Sequence, residues 1–349
     1  MTELTEPGPV RPAETIEPTA VLRAIPTLAR SRHDRAAMRR DDDAWLRQAW
    51  SSARVLPISA EGTVPVVAPA AGGGATAKAA PGAATAGSAA DDSVGGVPGR
   101  LSWIESARVD GAAPRLFLGE FDSVPYFAVS AQAEDGWLGL RELGAQLGEL
   151  EAGLLTSAVA LSEWHARHVH CPRCGAPTVS INAGWARRCP VDGSEHFPRT
   201  DPAVIMLIHD GADRCVLGRQ AQWPAGRFSI LAGFVEAGES AEGAVAREVY
   251  EEVGLRITDI RYRSSQPWPF PASLMLGFTA RAVGDTTITR HDAELADAGW
   301  FTRAEVEAAA TWPGEVDSDP NRVPALRAIP GGVSIARFLI EEWLDADGE

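Results

Sequence analysis

The segment of this 349-residue chain that most limits its fold reads Gly233-Phe234-Val235-Glu236-Ala237-Gly238-Glu239-Ser240 and, after residues 241–246, Arg247-Glu248-Val249-Tyr250-Glu251-Glu252-Val253-Gly254-Leu255. Ser240 suits a helix N-cap, Glu242 lies in the first turn where the positive dipole end favours it, and Gly254 suits the left-handed residue after a helix. The spacing predicts a helix over 240–253. Val245, Val249 and Val253 form one stripe that must be buried, while Glu248, Glu251 and Glu252, at i, i+3 and i+4, bring three carboxylates onto another face. Carboxylates so close repel one another and raise one another's pKa unless a cation intervenes, and a hard divalent ion, Mg²⁺ or Mn²⁺, compensates them most simply. Such an ion holds phosphate oxygens and lowers the pKa of bound water. The competing reading is a solvated helix face with ordinary surface glutamates.

The surroundings of this helix alternate in type. Apolar runs predict strands at 203–208, 214–217, 257–263 and 273–282 and a closing helix over 333–344, so the last part of the chain reads as an α/β domain. Upstream, residues 1–20 are rich in Pro, Glu and Thr and read as a disordered lead-in. Residues 45–50 predict a short helix leading into a strand at 54–58, and 114–119 and 124–129 predict two more strands. Between them residues 66–99 are Ala, Gly, Ser, Thr and Pro with too few large apolar groups to offset their ordering entropy, which predicts a flexible insertion within one small mixed α+β domain over 21–168. Residues 141–169 read as one helix from the loose spacing of Leu143, Leu147, Leu150, Leu154, Val159 and Leu161.

Three of the four cysteines crowd into one stretch. Cys171-Pro172-Arg173-Cys174 followed by Cys189-Pro190-Val191-Asp192 has zinc-ribbon spacing except that Asp holds the last position, predicting a knuckle over 169–200. Three thiolates and one further ligand would close a tetrahedral structural Zn²⁺ site, the fourth being Asp192 or His196, with His165, His168 and His170 more distant options. The alternative is a degenerate knuckle with reduced, metal-free thiols. Cys215, between Arg214 and Val216, reads as a small buried hydrophobe.

The residues Gly233, Glu239, Arg247-Glu248-Val249, Glu251-Glu252 and Gly254-Leu255 reproduce every fixed position of the box that names the Nudix hydrolases, and the sequence resembles that superfamily. The resemblance implies an α/β/α sandwich over 201–349, metal ligands or base at Glu248, Glu251 and Glu252, and an arginine, Arg247, that orients a neighbouring carboxylate. Downstream, Ser265-Gln266-Pro267-Trp268-Pro269-Phe270-Pro271-Ala272-Ser273 holds three prolines that stiffen the backbone and present Gln266, Trp268 and Phe270 as an ordered strip suited to a planar heterocycle. This strip is similar to the motif of the NADH pyrophosphatase subgroup. That likeness implies hydrolysis of NAD(H) to nicotinamide mononucleotide and AMP, a further catalytic or metal-binding glutamate at Glu294, a nucleotide pocket lined by Ala336, Phe197, Ile205 and Phe234, and an arginine, Arg141, from the amino-terminal domain. It also implies a homodimer whose subunits build each pocket jointly.

Composition ranks the substrates. Lys plus Arg number 32 against 47 Asp plus Glu, a formal net charge of −15, which disfavours broad attachment to nucleic acid or anionic membrane, so NAD-capped RNA stands below the free dinucleotide. A broader Nudix hydrolase acting on ADP-ribose, or a catalytically silent nucleotide sensor, are the other readings. No window approaches the ~18 uninterrupted apolar residues of a spanning helix, and Met1-Thr2-Glu3 lacks the basic start of a secretory signal, so a cytoplasmic protein without a membrane partner is expected.

Overall fold

The computed structural model describes residues 25–67, 100–109, 113–291, 294–311 and 326–346. The expected lead-in at 1–20 and all but two residues of the insertion at 66–99 lie outside the described residues.

The amino-terminal part contains α1 (Asp43–Trp50), β1 (Arg54–Ile58), β2 (Thr63–Val64), β3 (Ile104–Glu105), β4 (Arg115–Phe121), β5 (Val124–Ser130), β6 (Leu138–Gly139), α2 (Leu140–Leu143) and α3 (Glu149–Arg167). Its main sheet has the order β3-β1-β5-β4, with β1 and β5 parallel. Leu56, Leu118, Leu154, Leu155 and Leu161 fill the core between this sheet and α3. The other face packs Phe117 and Phe127 against Trp45 and Trp50 in tilted and edge-to-face contacts with centroids 5.1–5.5 Å apart. Val66 bridges Leu101, so the chain leaves and re-enters this part at adjacent points.

The single helix expected over 141–169 is two helices. Gly144 ends α2 in a helical conformation and the extended Gly148, at φ −66° and ψ 163°, is the N-cap of α3. A Cβ at Gly144 would lie 2.6 Å from Val333 Cγ2, so the close approach of that loop requires glycine there, and leucine periodicity does not reveal the break.

Beyond α3, a three-stranded ribbon of β7 (Val179–Ile181), β8 (Ala186–Arg188) and β9 (Glu195–His196) carries the cysteines. The last part consists of β10 (Asp201–His209), β11 (Arg214–Gln220), β12 (Leu231–Phe234), α4 (Ala241–Val253), β13 (Arg256–Trp268), β14 (Ser273–Val283), β15 (Leu295–Thr302), α5 (Arg303–Ala310) and α6 (Ile335–Asp345). Its mixed sheet runs β13-β14-β10-β11-β15, with β12 also on β10. Alternation along β10 sends Val204, Met206 and Ile208 towards Val245, Val249 and Val253 of α4, and Ile205 and Leu207 towards Val306 of α5 and Leu339 and Ile340 of α6. The result is an α/β/α sandwich. Cys215 is fully buried, and burial pushes its thiol up to about 12.

A candidate dinucleotide diphosphatase site with a metal knuckle

Local rules place the glutamates. Ser240 Oγ accepts the Gly243 N–H at 3.1 Å and Gly254 takes a positive φ of 72°, so both ends of α4 are closed as its sequence requires. On its charged face Arg247 joins several acceptors. Its Nε and Nη2 donate to Glu239 at 2.8 Å each, Nη1 donates to Glu248 at 2.8 Å and Glu251 at 3.0 Å, and Nη2 also reaches the Phe234 carbonyl at 2.9 Å. Arg247 thus fixes two of the box glutamates relative to the loop before the helix. Its guanidinium, helped by the Glu236 N–H, holds the Glu239 carboxyl down to about 2.

Glu248 shifts the opposite way. Burial raises its pKa, Arg247 opposes this, and the nearby charges of Glu251 and Glu294 raise it further. One wall of its cradle is backbone: a Cβ at Gly233 would fall 2.0 Å from the Glu248 carboxylate. Glu252 is buried at 3% exposure, whereas Glu251 and Glu294 face solvent. An oxygen-only donor set, with one of its members held against bare backbone, fits a hard divalent cation.

Glu252 also lines a cavity of about 190 Å³, together with Ile205, Trp268, Met275, Ile335 and Ala336. Trp268 meets Phe270 edge to face at 4.9 Å, and both pack against the amino-terminal core. The Arg141 guanidinium lies 4.0 Å from the Phe270 centroid and 5.0 Å from that of Trp268. Trp268 of the cavity lining thus also touches the amino-terminal part of the chain.

The remaining expected residues divide. Ile205 and Ala336 line the cavity, and the Ala336 N–H donates to Ser334 Oγ at 3.2 Å, which caps α6. Gln266 does not line it. Its side chain is fully buried beneath the loop leading to α6, where Nε2 donates to the Val333 carbonyl at 3.1 Å. Phe197 and Phe234, each 61% exposed, also lie outside the cavity lining. Sequence reasoning missed Trp223 and Leu295 of the lining, which carry no local signal, and it placed Glu239 in the box without its ion pair to Arg247.

In the knuckle, Asp192 groups with the three cysteines. One ligand atom from each of Cys171, Cys174, Cys189 and Asp192 lies within 4.8 Å of the others. The two turns repeat each other: Gly175 N–H donates to the Cys171 carbonyl at 2.9 Å and Gly193 N–H to the Cys189 carbonyl at 3.0 Å, with both glycines at positive φ. Asp192 thus occupies in the second turn the place that Cys174 holds in the first. His196 sits one step outside, its Nε2 3.1 Å from Ser194 Oγ, and Ser194 in turn donates to Asp192. His165 and His168 are engaged with the Gly184 and Trp164 carbonyls, and His170 is likewise outside the four-residue group. Three thiols and a carboxylate with no position left for water suit a closed structural zinc site.

Residues 199–320 match the NUDIX domain and residues 166–197 the NADH pyrophosphatase zinc ribbon domain. An NAD-capped RNA hydrolase NudC of Mycobacterium bovis is 49% identical over 215 residues, spanning 62% of this chain and 66% of that protein. The mitochondrial NAD(P)H pyrophosphatase NUDT13 of Mus musculus is 40% identical over 64% of this chain and 63% of its own length. The NAD-capped RNA hydrolase NUDT12 of Macaca fascicularis is 42% identical over 57% of this chain and 43% of its own. The chain therefore contains a Nudix domain preceded by an NADH pyrophosphatase zinc ribbon domain.

Proposed function

We propose that this protein hydrolyses the diphosphate of NAD(H) to nicotinamide mononucleotide and AMP, and that it also removes NAD caps from RNA. The observation that carries the reading is the position of Glu252, which belongs at once to the carboxylate face of α4 and to the cavity lined by Trp268. Printed names of the relatives, NAD-capped RNA hydrolase and NAD(P)H pyrophosphatase, support the same substrates.

Glu248, Glu251, Glu252 and Glu294 would hold Mg²⁺ or Mn²⁺, which when bound activates water and neutralises phosphate charge. In this reading Glu252 takes the proton of the attacking water, with Glu294 the second candidate. Arg247 keeps Glu248 and Glu251 in place, and Trp268 offers a flat face to the heterocycle. Ile205 and Ala336 wall the pocket. Gln266 acts from behind by holding the Val333 carbonyl, and Arg141 acts through the rings of Trp268 and Phe270. Cys171, Cys174, Cys189 and Asp192 would hold a structural Zn²⁺.

We further propose the domain division expected above, a cytoplasmic location and a homodimer. The exposed rings of Phe197 and Phe234 support the dimer, in which each would complete a pocket of the second subunit. Light scattering that shows only monomer overturns it. No helix among the described residues is long and apolar enough to cross a membrane.

Chromatography of products from NADH, NAD, ADP-ribose and a short NAD-capped RNA, with Mg²⁺ or Mn²⁺, tests the function beside a Glu252→Gln control. Mononucleotide and AMP from NADH or NAD, absent in the control, are expected. Cleavage of ADP-ribose alone would refute the substrate assignment, and binding of NAD without turnover would make the chain a sensor.

A further inference from the structure

A net charge of −15 speaks against a polynucleotide substrate, but the charge is unevenly spread. On the sheet face covered by α6, beyond the carboxy-terminal end of that helix, lies a cleft of about 610 Å³. Arg261 and Arg263 of β13, Arg281 of β14 and Arg303 of α5 line it, against two carboxylates, Asp259 and Glu342. The balance of the whole chain is locally reversed.

These arginines are not all committed. Arg303 donates to the carbonyls of Trp343 and Leu344, which satisfies the last turn of α6 and offsets the negative dipole end that would repel an anion. Arg263 pairs with Glu342, and Arg281 pairs with Asp259 at 3.0 Å. Both pairs are solvent-accessible, and exposed pairs of this kind contribute little, so a phosphate can replace either carboxylate at little cost. Arg261, also exposed, makes no ion pair or hydrogen bond among the described residues.

The cleft and the cavity lie at opposite ends of α6, on the same face of the sheet, with the buried Leu207, Leu339 and Ile340 between them. Ile335 at the start of α6 lines the cavity and Glu342 lines the cleft, a rise of roughly 10 Å at 1.5 Å per residue. Beneath the helix, β10 places Ile205 in the cavity, Leu207 under α6 and His209 in the cleft, while β14 places Met275 in the cavity and Arg281 in the cleft. At roughly 3.4 Å per stacked nucleotide the gap corresponds to about three nucleotides.

We propose that this arginine cleft binds the phosphodiester backbone of RNA a few nucleotides beyond an NAD cap seated in the cavity. The inference rests on the reading of capped RNA as a substrate. Guanidiniums recognise phosphate by forked, charge-assisted hydrogen bonds, and the contact carries no base preference.

The test compares the full-length protein with an Arg261→Gln/Arg281→Gln double variant. Its kcat/KM on a short NAD-capped RNA should fall about tenfold at low salt, and the slope of log kcat/KM against log salt should shrink by about 1.4, at 0.7 per single-strand phosphate contact. Its rate on NADH should remain within about twofold and its melting temperature unchanged, since both side chains face solvent. An unchanged rate and slope on capped RNA, or a parallel fall on NADH, overturns the proposal. Fluorescence anisotropy with a fluorescein-labelled uncapped RNA separates it from the catalytic reading. Should the wild type cleave no dinucleotide, weaker RNA binding by the double variant still supports the cleft, whereas equal binding, or none by the wild type, refutes it.

Discussion

Replacing Gly233 by Ala tests whether the carboxylate cradle is a catalytic device or incidental packing. The added Cβ would fall 2.0 Å from the Glu248 carboxylate, and ordinary contact begins near 3.4 Å, so this carboxylate must move by about 1.4 Å. The moving group is the far end of a flexible side chain, which makes the change cheap for folding. On the proposed function it is expensive for chemistry, because the displacement breaks the 2.8 Å bond from Arg247 and moves an oxygen that would hold the metal. Misplacing a reacting group by about 1 Å can cost roughly a hundredfold, or about 2.7 kcal/mol of transition-state stabilisation. NADH hydrolysis is therefore expected to fall about a hundredfold in kcat/KM, with the Mn²⁺ concentration for half-maximal rate raised and the melting temperature moved by only a few degrees. Wild-type turnover in Gly233→Ala, or a loss that tracks unfolding, would show that the close approach has no part in holding metal.

Three further outcomes follow from the same geometry. Elemental analysis should find one zinc per chain, retained in His196→Ala and lost in Asp192→Ala, with a lower melting temperature in the latter because structural zinc contributes folding energy; zinc lost from His196→Ala instead would move the fourth ligand. Glu239 has a folded pKa of about 2 against an ordinary 4.5, so its stabilising contribution is complete above the ordinary value and disappears as pH falls through the folded one. Denaturant titrations across that interval should show a flatter acid limb for Glu239→Gln, and identical limbs would refute the pairing. Gln266→Ala removes a fully buried side chain and leaves the half-buried Val333 carbonyl without its donor, and should cost about 1–3 kcal/mol in urea unfolding, a loss that an exposed, substrate-facing glutamine would not produce.

What the sequence revealed follows the range of the interactions involved. The helix over 240–253 was legible because its caps, valine stripe and glutamates all lie within one contiguous segment, and the observed α4 has the expected Ser240 and Gly254 ends. The position of Gln266 was not, since its partner lies 67 residues away and burial under the Val333 loop is settled by how α6 docks. The break between α2 and α3 falls at Gly148, a local breaker that the run of leucines masked. The fourth knuckle ligand is an intermediate case. Cys171-Pro172-Arg173-Cys174-Gly175 and Cys189-Pro190-Val191-Asp192-Gly193 repeat each other, and the glycines fix equivalent turns, so this internal repeat favours Asp192 over His196. Trp223 and Leu295 join the cavity only through the meeting of β11 and β15 with the rest of the sheet.

The position of the cavity follows from a constraint of the sandwich itself. Helices α4 and α6 lie on opposite faces of one sheet, yet Glu252 of the first and Ile335 and Ala336 of the second line the same cavity. An unbroken sheet would keep them apart. The sheet is not unbroken here: β10 pairs with β12 over Ala203–Met206 and with β11 only at His209, so along one edge of β10 the neighbour changes from one strand to the other. Gly218 of β11 and Leu231 and Ala232 of β12, which flank that change, are cavity residues. A dinucleotide lying through this opening can present its diphosphate to the carboxylates of α4 while its base rests against the start of α6. On the proposed function, the short pairing of β10 with β11 is as much a part of the site as any glutamate, since it lets a two-faced sandwich meet a ligand with one charged and one flat end.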